Sequence, residues 1–163
     1  MNRCAALMIS MLLLGGTPAQ AAEPVKIGIA EIGFVDSAGA PDTKQKKSRV
    51  ARAKKFAEAL RKDLGADGKF KVVTLDCGKD PCSIANQSPE DLIAAAKKAG
   101  ARVLLYGSVQ KLSPAIQAQA VDIEAAKLVF NQSIQLGSDD AKSWQRAQHD
   151  LSKALLSAPL TQQ

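Results

Sequence analysis

The most conspicuous side chains that could do chemistry form a basic run in the first half of the chain. Seven lysines and arginines lie within twelve residues that contain no acid: Lys44, Lys46, Lys47, Arg49, Arg52, Lys54 and Lys55. The run coincides with the start of a predicted helix, where the backbone dipole disfavours positive charge. Such a face could contact an acidic protein or an anionic surface, although basic runs usually form a solvated face without a partner. Both interpretations stay open at this point.

Cys77 and Cys82 are the second candidate pair. Gly78 and the Asp80-Pro81 pair between them favour a turn that would bring the two Cα atoms within bonding reach. In an oxidising compartment, an isolated pair this close is typical of a structural disulfide. The alternative is a redox-active pair, which usually has two intervening residues at the start of a helix. We therefore predict a disulfide between the two cysteines.

Candidates for catalysis or metal binding are weak. The single histidine, His149, lies beside the apolar stripe of a predicted helix and is expected on its surface. Ser108 follows Gly107 at the end of a predicted strand, but the second glycine of a nucleophile elbow is missing. Asp139 and Asp140 fit the acidic start of a helix better than a metal site, since no histidines cluster with them. The sequence therefore predicts a non-enzymatic protein with no catalytic residue, no metal site and no cofactor.

The start of the chain indicates where the protein works. Arg3 gives a positive start, residues 5–14 are an apolar run, and Ala19 and Ala21 are the small residues that precede a signal-peptide cleavage site. The apolar run has about ten residues, whereas a membrane span needs about 20. We expect cleavage after Ala21, so that residues 1–21 are a signal peptide and residues 22–163 form one periplasmic globular domain with no membrane span.

The charge of the protein narrows the class of partner. Cleavage would remove Arg3 and lower the formal net charge of +6 by one. Outside the cytoplasm, the natural anionic partners of a basic protein are lipid headgroups, cell-wall polymers and acidic proteins rather than nucleic acid. Aromatic residues make up only 4% of the chain, which also disfavours a platform for stacking bases. An envelope protein or an anionic surface is the expected partner, and the sequence does not indicate an oligomeric state.

Hydrophobic periodicity predicts eight elements in the order β-α-β-α-β-β-β-α. Ser88 is the expected N-cap of the second helix, with Pro89 at its first position, and Ser138 is the expected cap of the third. Gly65 is expected to end the first helix, whose apolar stripe includes Val50. Two strand-helix-strand units followed by a meander imply an α/β domain with one mixed sheet in two or three layers. The strands are predicted at residues 25–34, 69–75, 102–109, 115–123 and 128–136.

Part of the chain resembles bacterial envelope domains. A helix ends in Gly100-Ala101, the next strand ends in Gly107-Ser108, and a hairpin follows over residues 122–130. This layout is similar to the N-terminal domain of TolB and to the related curli-secretion and penicillin-binding-protein-activator lipoproteins. Their hairpin turn follows the pattern D-x-x-T-G-x-x-V-W. Here Ala125 and Ala126 replace the threonine and glycine, and Phe130 replaces the tryptophan.

The mature chain as a whole, over about residues 25–157, resembles more closely a family of small secreted proteobacterial proteins, the domain of unknown function 2380. The resemblance implies the fold described above and a non-enzymatic envelope protein that works by protein–protein contact. We therefore expect an envelope interaction or accessory module. The alternative is a periplasmic small-molecule-binding protein, with its ligand in the crevice at the carboxyl ends of the strands.

Overall fold

The computed structural model describes residues 23–35, 43–110 and 115–160, which form five strands and three helices. The predicted α/β class and the predicted order of elements are confirmed. The elements are β1 (Val25–Val35), α1 (Thr43–Asp67), β2 (Phe70–Val73), α2 (Pro89–Lys98), β3 (Val103–Gln110), β4 (Ala115–Asp122), β5 (Lys127–Gln135) and α3 (Ala141–Ser157).

The five strands form one mixed sheet in the order β2-β1-β3-β4-β5. β1 is parallel to both β2 and β3, whereas β3, β4 and β5 are antiparallel neighbours. Because strand-helix-strand crossovers are almost always right-handed, and β2 and β3 flank β1 on opposite sides, α1 and α2 must cover opposite faces. The sheet is therefore the middle of three layers.

Alternating residues of β3 show the two faces of the sheet directly. Val103 and Leu105 belong to the larger core, which α1 and α3 cover, whereas Leu104 lies between them in sequence and packs with Leu92 and Ala96 of α2. All five side chains are almost fully buried. This alternation is what a strand buried on both faces requires.

The start of α2 is as predicted. The Ser88 side chain accepts a hydrogen bond from the backbone N–H of Asp91 at 3.1 Å, and Pro89 occupies the first helical position. Lys97 and Lys98 lie in the last turn, where the helix dipole favours positive charge. The helix therefore has favourable residues at both ends.

The structure corrects four details. Helix α1 continues through Gly65 to Asp67 and is followed by Gly68, whose φ of 84° suits glycine. Val50 is 49% exposed, because the buried stripe of α1 begins one turn later. β2 has four residues rather than seven. Helix α3 is capped by Asp140 and not by Ser138.

Candidate functional site

Helix α1 carries the basic run, and its buried stripe determines which side chains face solvent. The stripe recurs at three- and four-residue steps and comprises Ala53, Phe56, Ala57, Leu60 and Leu64. Lys47, Lys54 and Lys55 lie on the opposite side of the helix and are exposed. We call these three lysines the α1 basic face. Lys44 and Lys46 also belong to α1, but their side chains lie outside the described residues.

Arg49 and Arg52 are held within the domain instead. The Nε atom of Arg49 donates to Asp139 Oδ2 at 3.1 Å, and the guanidinium of Arg52 donates to Asp139 Oδ1 and to its backbone carbonyl. Arg52 also donates to Ser48 Oγ at 2.8 Å. These contacts join the first half of α1 to the residues just before α3. The basic run is therefore divided between two arginines that hold helices together and three lysines that face solvent.

Asp139 is the centre of this polar cluster. The indole of Trp144 donates to Asp139 Oδ1 at 3.0 Å, and the same ring meets Phe56 of α1 edge-on, with 5.7 Å between the ring centroids. Partial burial acts to raise the pKa of Asp139, but hydrogen bonds from Trp144, Arg49 and Arg52 outweigh it and lower the pKa below its ordinary value. The carboxylate is therefore ionised at neutral pH and links α1 to the start of α3.

A groove of about 250 Å³ between α1 and α3 lies next to the α1 basic face. Arg52 and Lys55 line it with positive charge, and Phe56, Ala59 and Trp144 contribute apolar surface. An apolar side chain fits such a groove when its neighbours along a partner chain are acidic. The groove therefore adds an apolar surface beside the positive charges of the α1 basic face.

A separate cleft of about 280 Å³ lies at the carboxyl end of β1. Its polar lining includes Glu31, Arg49, Ser83 and Asn86, and Phe34 is among its apolar residues. In open α/β sheets, small ligands bind in this kind of crevice, where neighbouring strands connect in opposite directions. The cleft thus provides one acidic and one basic side chain for a small polar ligand.

Cys77 and Cys82 are joined by a disulfide, with 5.3 Å between their Cα atoms. Neither cysteine lies in a helix. β2 pairs with β1 only as far as Gly28, and beyond that point Glu31 donates its backbone N–H to Cys82 O at 2.7 Å and pairs with Ser83. The chain at the end of the disulfide loop therefore continues the pairing of β1 beyond the point where β2 ends.

The remaining candidate residues are dispersed. His149 is exposed on α3, and Ser108 is half-buried in β3. Asp122 is 1% exposed, and its Oδ1 accepts two backbone N–H groups of the β4–β5 turn, while Arg102 Nε lies 3.6 Å from its Oδ2. Among the described residues, no group of three or more histidines, cysteines and acids is placed to hold a metal ion. No helix in this part of the chain has the length and apolar character needed to cross a membrane.

The sequence does not predict the role of Asp139. Asp139 and Asp140 both read as helix-start acids, yet only Asp140 caps α3, by accepting the Ser143 backbone N–H at 2.8 Å. One helix start needs one capping side chain, so the second of two adjacent acids is available for another partner. That surplus acid, together with a basic run elsewhere in the chain, is the signal that could have identified the pairing.

Comparison with solved structures shows the same fold in a bacterial protein domain. The C-terminal domain of LpoB from Escherichia coli is 17% identical and superimposes with a TM-score of 0.50, covering 77% of this chain and 90% of that domain. TolB from Acinetobacter baumannii is 18% identical with a TM-score of 0.48, covering 83% of this chain and 28% of TolB. The PelC dodecamer from Paraburkholderia phytofirmans is 14% identical with a TM-score of 0.44, covering 81% and 88%.

Comparison of sequences with curated proteins finds no match. Residues 25–156 match the sequence profile of a family described as "Protein of unknown function (DUF2380)". The match spans most of the described chain and all eight elements, from β1 into α3. It confirms the family resemblance inferred from the sequence. The chain therefore belongs to the family of proteins of unknown function DUF2380.

Proposed function

We propose that the protein is a secreted, non-enzymatic accessory module of the bacterial envelope. In this proposal, residues 1–21 are removed as a signal peptide and residues 22–163 act in the periplasm as one domain. The α1 basic face binds an acidic segment of another envelope protein. The apolar start of the chain supports this compartment, and the fold shared with the LpoB domain supports this class of protein.

One observation carries the proposal, namely the division of the basic run. Arg49 and Arg52 are held by Asp139, whereas the lysines of the α1 basic face are exposed and form no ion pair with any described acid. A solvated face would also leave its lysines unpaired, so the density of like charge on this one helix is what favours a partner. The three lysines present their charge away from the domain.

The position of the lysines along α1 strengthens this reasoning. They lie in the first half of the helix, and the first acid along α1 is Glu58. Neighbouring like charges on a helix repel one another, and no acid among these lysines offsets the repulsion. A bound carboxylate would relieve it, so an acidic partner gains attraction from the whole face. Such complementarity also accelerates encounter in low salt.

Site-specific photo-cross-linking in living cells tests the proposal. A photoreactive amino acid placed at Ala51, which is exposed among the three lysines, should give a defined cross-linked product with one envelope protein. The same group at Ala94, which is exposed on α2, is the matched control and should not give that product. The triple charge reversal Lys47→Glu, Lys54→Glu and Lys55→Glu should abolish the product from Ala51.

A second triple reversal separates the surface from the total charge. Lys71, Lys97 and Lys153 are exposed outside α1, so their replacement by glutamate changes the net charge equally and should leave the product intact. Equal loss in both triple variants would contradict a specific face. Binding of the purified protein to phosphatidylglycerol vesicles, lost only in the α1 variant, would show that an anionic membrane and not a protein is the partner.

The cleft at the end of β1 favours a second candidate function, binding of a small polar molecule in the periplasm. The observation that supports it is that Glu31, Arg49 and Asn86 line the same cavity. A ligand that binds the folded state should raise the melting temperature of the wild type. Ala85→Trp, which would fill the cleft from its rim, should remove that rise. A metabolite screen without any such shift would exclude this function.

A further inference from the structure

The two edges of the sheet differ in how they are protected against pairing with another strand. β2 is four residues long, Lys71 lies within it, and Lys69 precedes it. Short edge strands with lysines are common means of preventing unwanted pairing. The ammonium of Lys69 also donates to the backbone carbonyls of Leu156 and Ala158, so this edge is tied to the end of α3. β2 is therefore a protected edge.

β5, at the opposite edge, has almost none of this protection. It has nine residues, its single charged residue is Lys127 at the start, and it contains no proline. The pairing with β4 is irregular near Val129, because Ala120 pairs with Phe130 and Val121 with Leu128. After that bulge, residues 130–135 pair in regular register with β4. β5 thus offers six consecutive residues of regular, uncharged edge.

The outer side of this edge is open in the part of the chain that the structure describes. Outside its pairing with β4, β5 makes no backbone hydrogen bond to any described residue. Asn131, Ser133 and Gln135 are exposed, and Leu128 is 53% exposed. A row of unpaired N–H and C=O groups at a regular spacing is complementary to one kind of ligand, another extended polypeptide backbone.

The side chains of β5 indicate which polypeptide would fit. On the face covered by α1 and α3, Phe130 is partly buried and packs against the larger core, as Ile134 does. On the other face, the exposed Asn131 pairs with the half-buried Gln119 of β4, and Ser133 Oγ accepts a hydrogen bond from Gln117 Nε2 at 2.8 Å. An added strand would therefore need apolar residues alternating with polar, uncharged ones.

We propose that residues 130–135 of β5 bind an extended segment of a partner protein, with alternating apolar and uncharged polar residues, as a sixth strand of the sheet. A second copy of this chain is disfavoured, because each copy carries a net charge of +6, or one less without Arg3, and the edge has no acid to offset the repulsion. The site is independent of the α1 basic face, and its test does not depend on that proposal.

Selected peptides provide the probe. Phage-displayed random peptides of about ten residues, the upper range of strand length, are selected on the purified protein and then synthesised. N-methylation of every second residue removes the donors on one edge of such a peptide. Two versions of each peptide are compared, one methylated at the odd positions and one at the even positions. Methylation on the edge that faces β5 should weaken binding at least about tenfold, and methylation on the other edge should weaken it much less. Equal effects of both versions, or failure to select any peptide, would overturn strand addition.

Edge variants locate the site. The double variant Asn131→Lys and Ser133→Lys places two charges beside the open edge and should weaken peptide binding at least about tenfold. Ala94→Lys on α2 is the exposed control and should bind as the wild type does. If the double variant does not fold, the single exposed substitution Gln135→Lys takes its place in the same binding measurement. Peptides that bind all variants equally would place the site elsewhere. A wild-type dimer that the double variant dissociates would identify a second copy as the occupant and overturn the proposal.

Discussion

The backbone carbonyl oxygen of Gln117 lies only 2.5 Å from the position that a Cβ atom would take at Gly107. The Cδ1 atom of Ile32 lies 3.0 Å from the same position, on the neighbouring strand β1. β3 is the central strand of the sheet, and at Gly107 it is in contact with both neighbours. The glycine of the Gly107-Ser108 pair is therefore a packing requirement of the sheet, since any side chain would force β3 and β4 apart.

Gly107→Ala should lower the free energy of unfolding by about 1–3 kcal/mol, because an added methyl in a close-packed site forces backbone displacement. Urea denaturation measures the change. Gly65→Ala is the matched control: its Cβ would meet nothing nearer than Val72 at 3.7 Å, and Gly65 lies within a helix. That variant should gain up to about 1 kcal/mol from helix propensity. A Gly107→Ala protein as stable as the wild type would contradict the close approach.

Asp139→Asn should weaken the connection between α1 and the start of α3. The carboxylate accepts hydrogen bonds from Arg49, Arg52 and Trp144, but it is partly exposed, so we expect a loss of only about 1 kcal/mol at neutral pH. Urea denaturation of both proteins measures the loss. Asp150→Asn, an exposed substitution within α3, should change little.

The effect of Asp139→Asn should also depend on pH. Folding lowers the pKa of Asp139, so its ionised form contributes stability above the unfolded-state pKa of about 4. That contribution is lost as the pH falls through the lower, folded-state value. The difference in unfolding free energy between wild type and variant should therefore shrink in acid. A difference that stayed constant down to acidic pH would show that ionisation of Asp139 is not its source.

Replacing Cys77 and Cys82 together by serine should lower the free energy of unfolding by about 2 kcal/mol, the loop-closure entropy of so short a ring. Denaturation with and without a thiol reductant measures this value and supplies its own control. Reductant should destabilise the wild type to the level of the double variant and leave the variant unchanged. Cross-linking from Ala51 should survive in the variant, whereas its loss would mean that the cysteines act in binding.

Ala126→Gly should stabilise the protein by about 1 kcal/mol. Ala126 has a φ of 50°, the left-handed region that costs residues with a side chain roughly this amount. The position corresponds to the glycine of the turn pattern in TolB-like domains, so this chain has an alanine where the backbone favours glycine. Thermal denaturation should show the gain. Ala125→Gly, at the adjacent exposed position without a positive φ, should give no gain, and equal gains would contradict the explanation.

Local signals made much of the fold predictable. Ser88 and Pro89 mark the start of α2 because capping depends on neighbouring residues alone. The end of α1 was predicted at Gly65 and was wrong, because composition alone does not distinguish Gly65 from Gly68. The helix continues past Gly65, and of these two glycines only Gly68 takes a positive φ.

The candidate site was predictable only in part. The sequence identifies seven basic residues on one helix. It does not show that two of them, Arg49 and Arg52, bind Asp139, which lies 90 and 87 positions further along the chain. That contact depends on how α3 packs against α1, which no local pattern encodes. The open edge of β5 likewise depends on the place of β5 at the end of the sheet. The same residues in a central strand would pair with a strand on each side.

The loop closed by Cys77 and Cys82 gives the sheet a property that strand length alone would not. β1 is paired on that side first by β2 and then by the chain around Ser83, which a covalent bond turns back toward it. The disulfide lies directly before the residues that continue the pairing of β1. A cross-link mainly restricts the conformations of the unfolded chain, so this one favours the return of that segment to the sheet during folding.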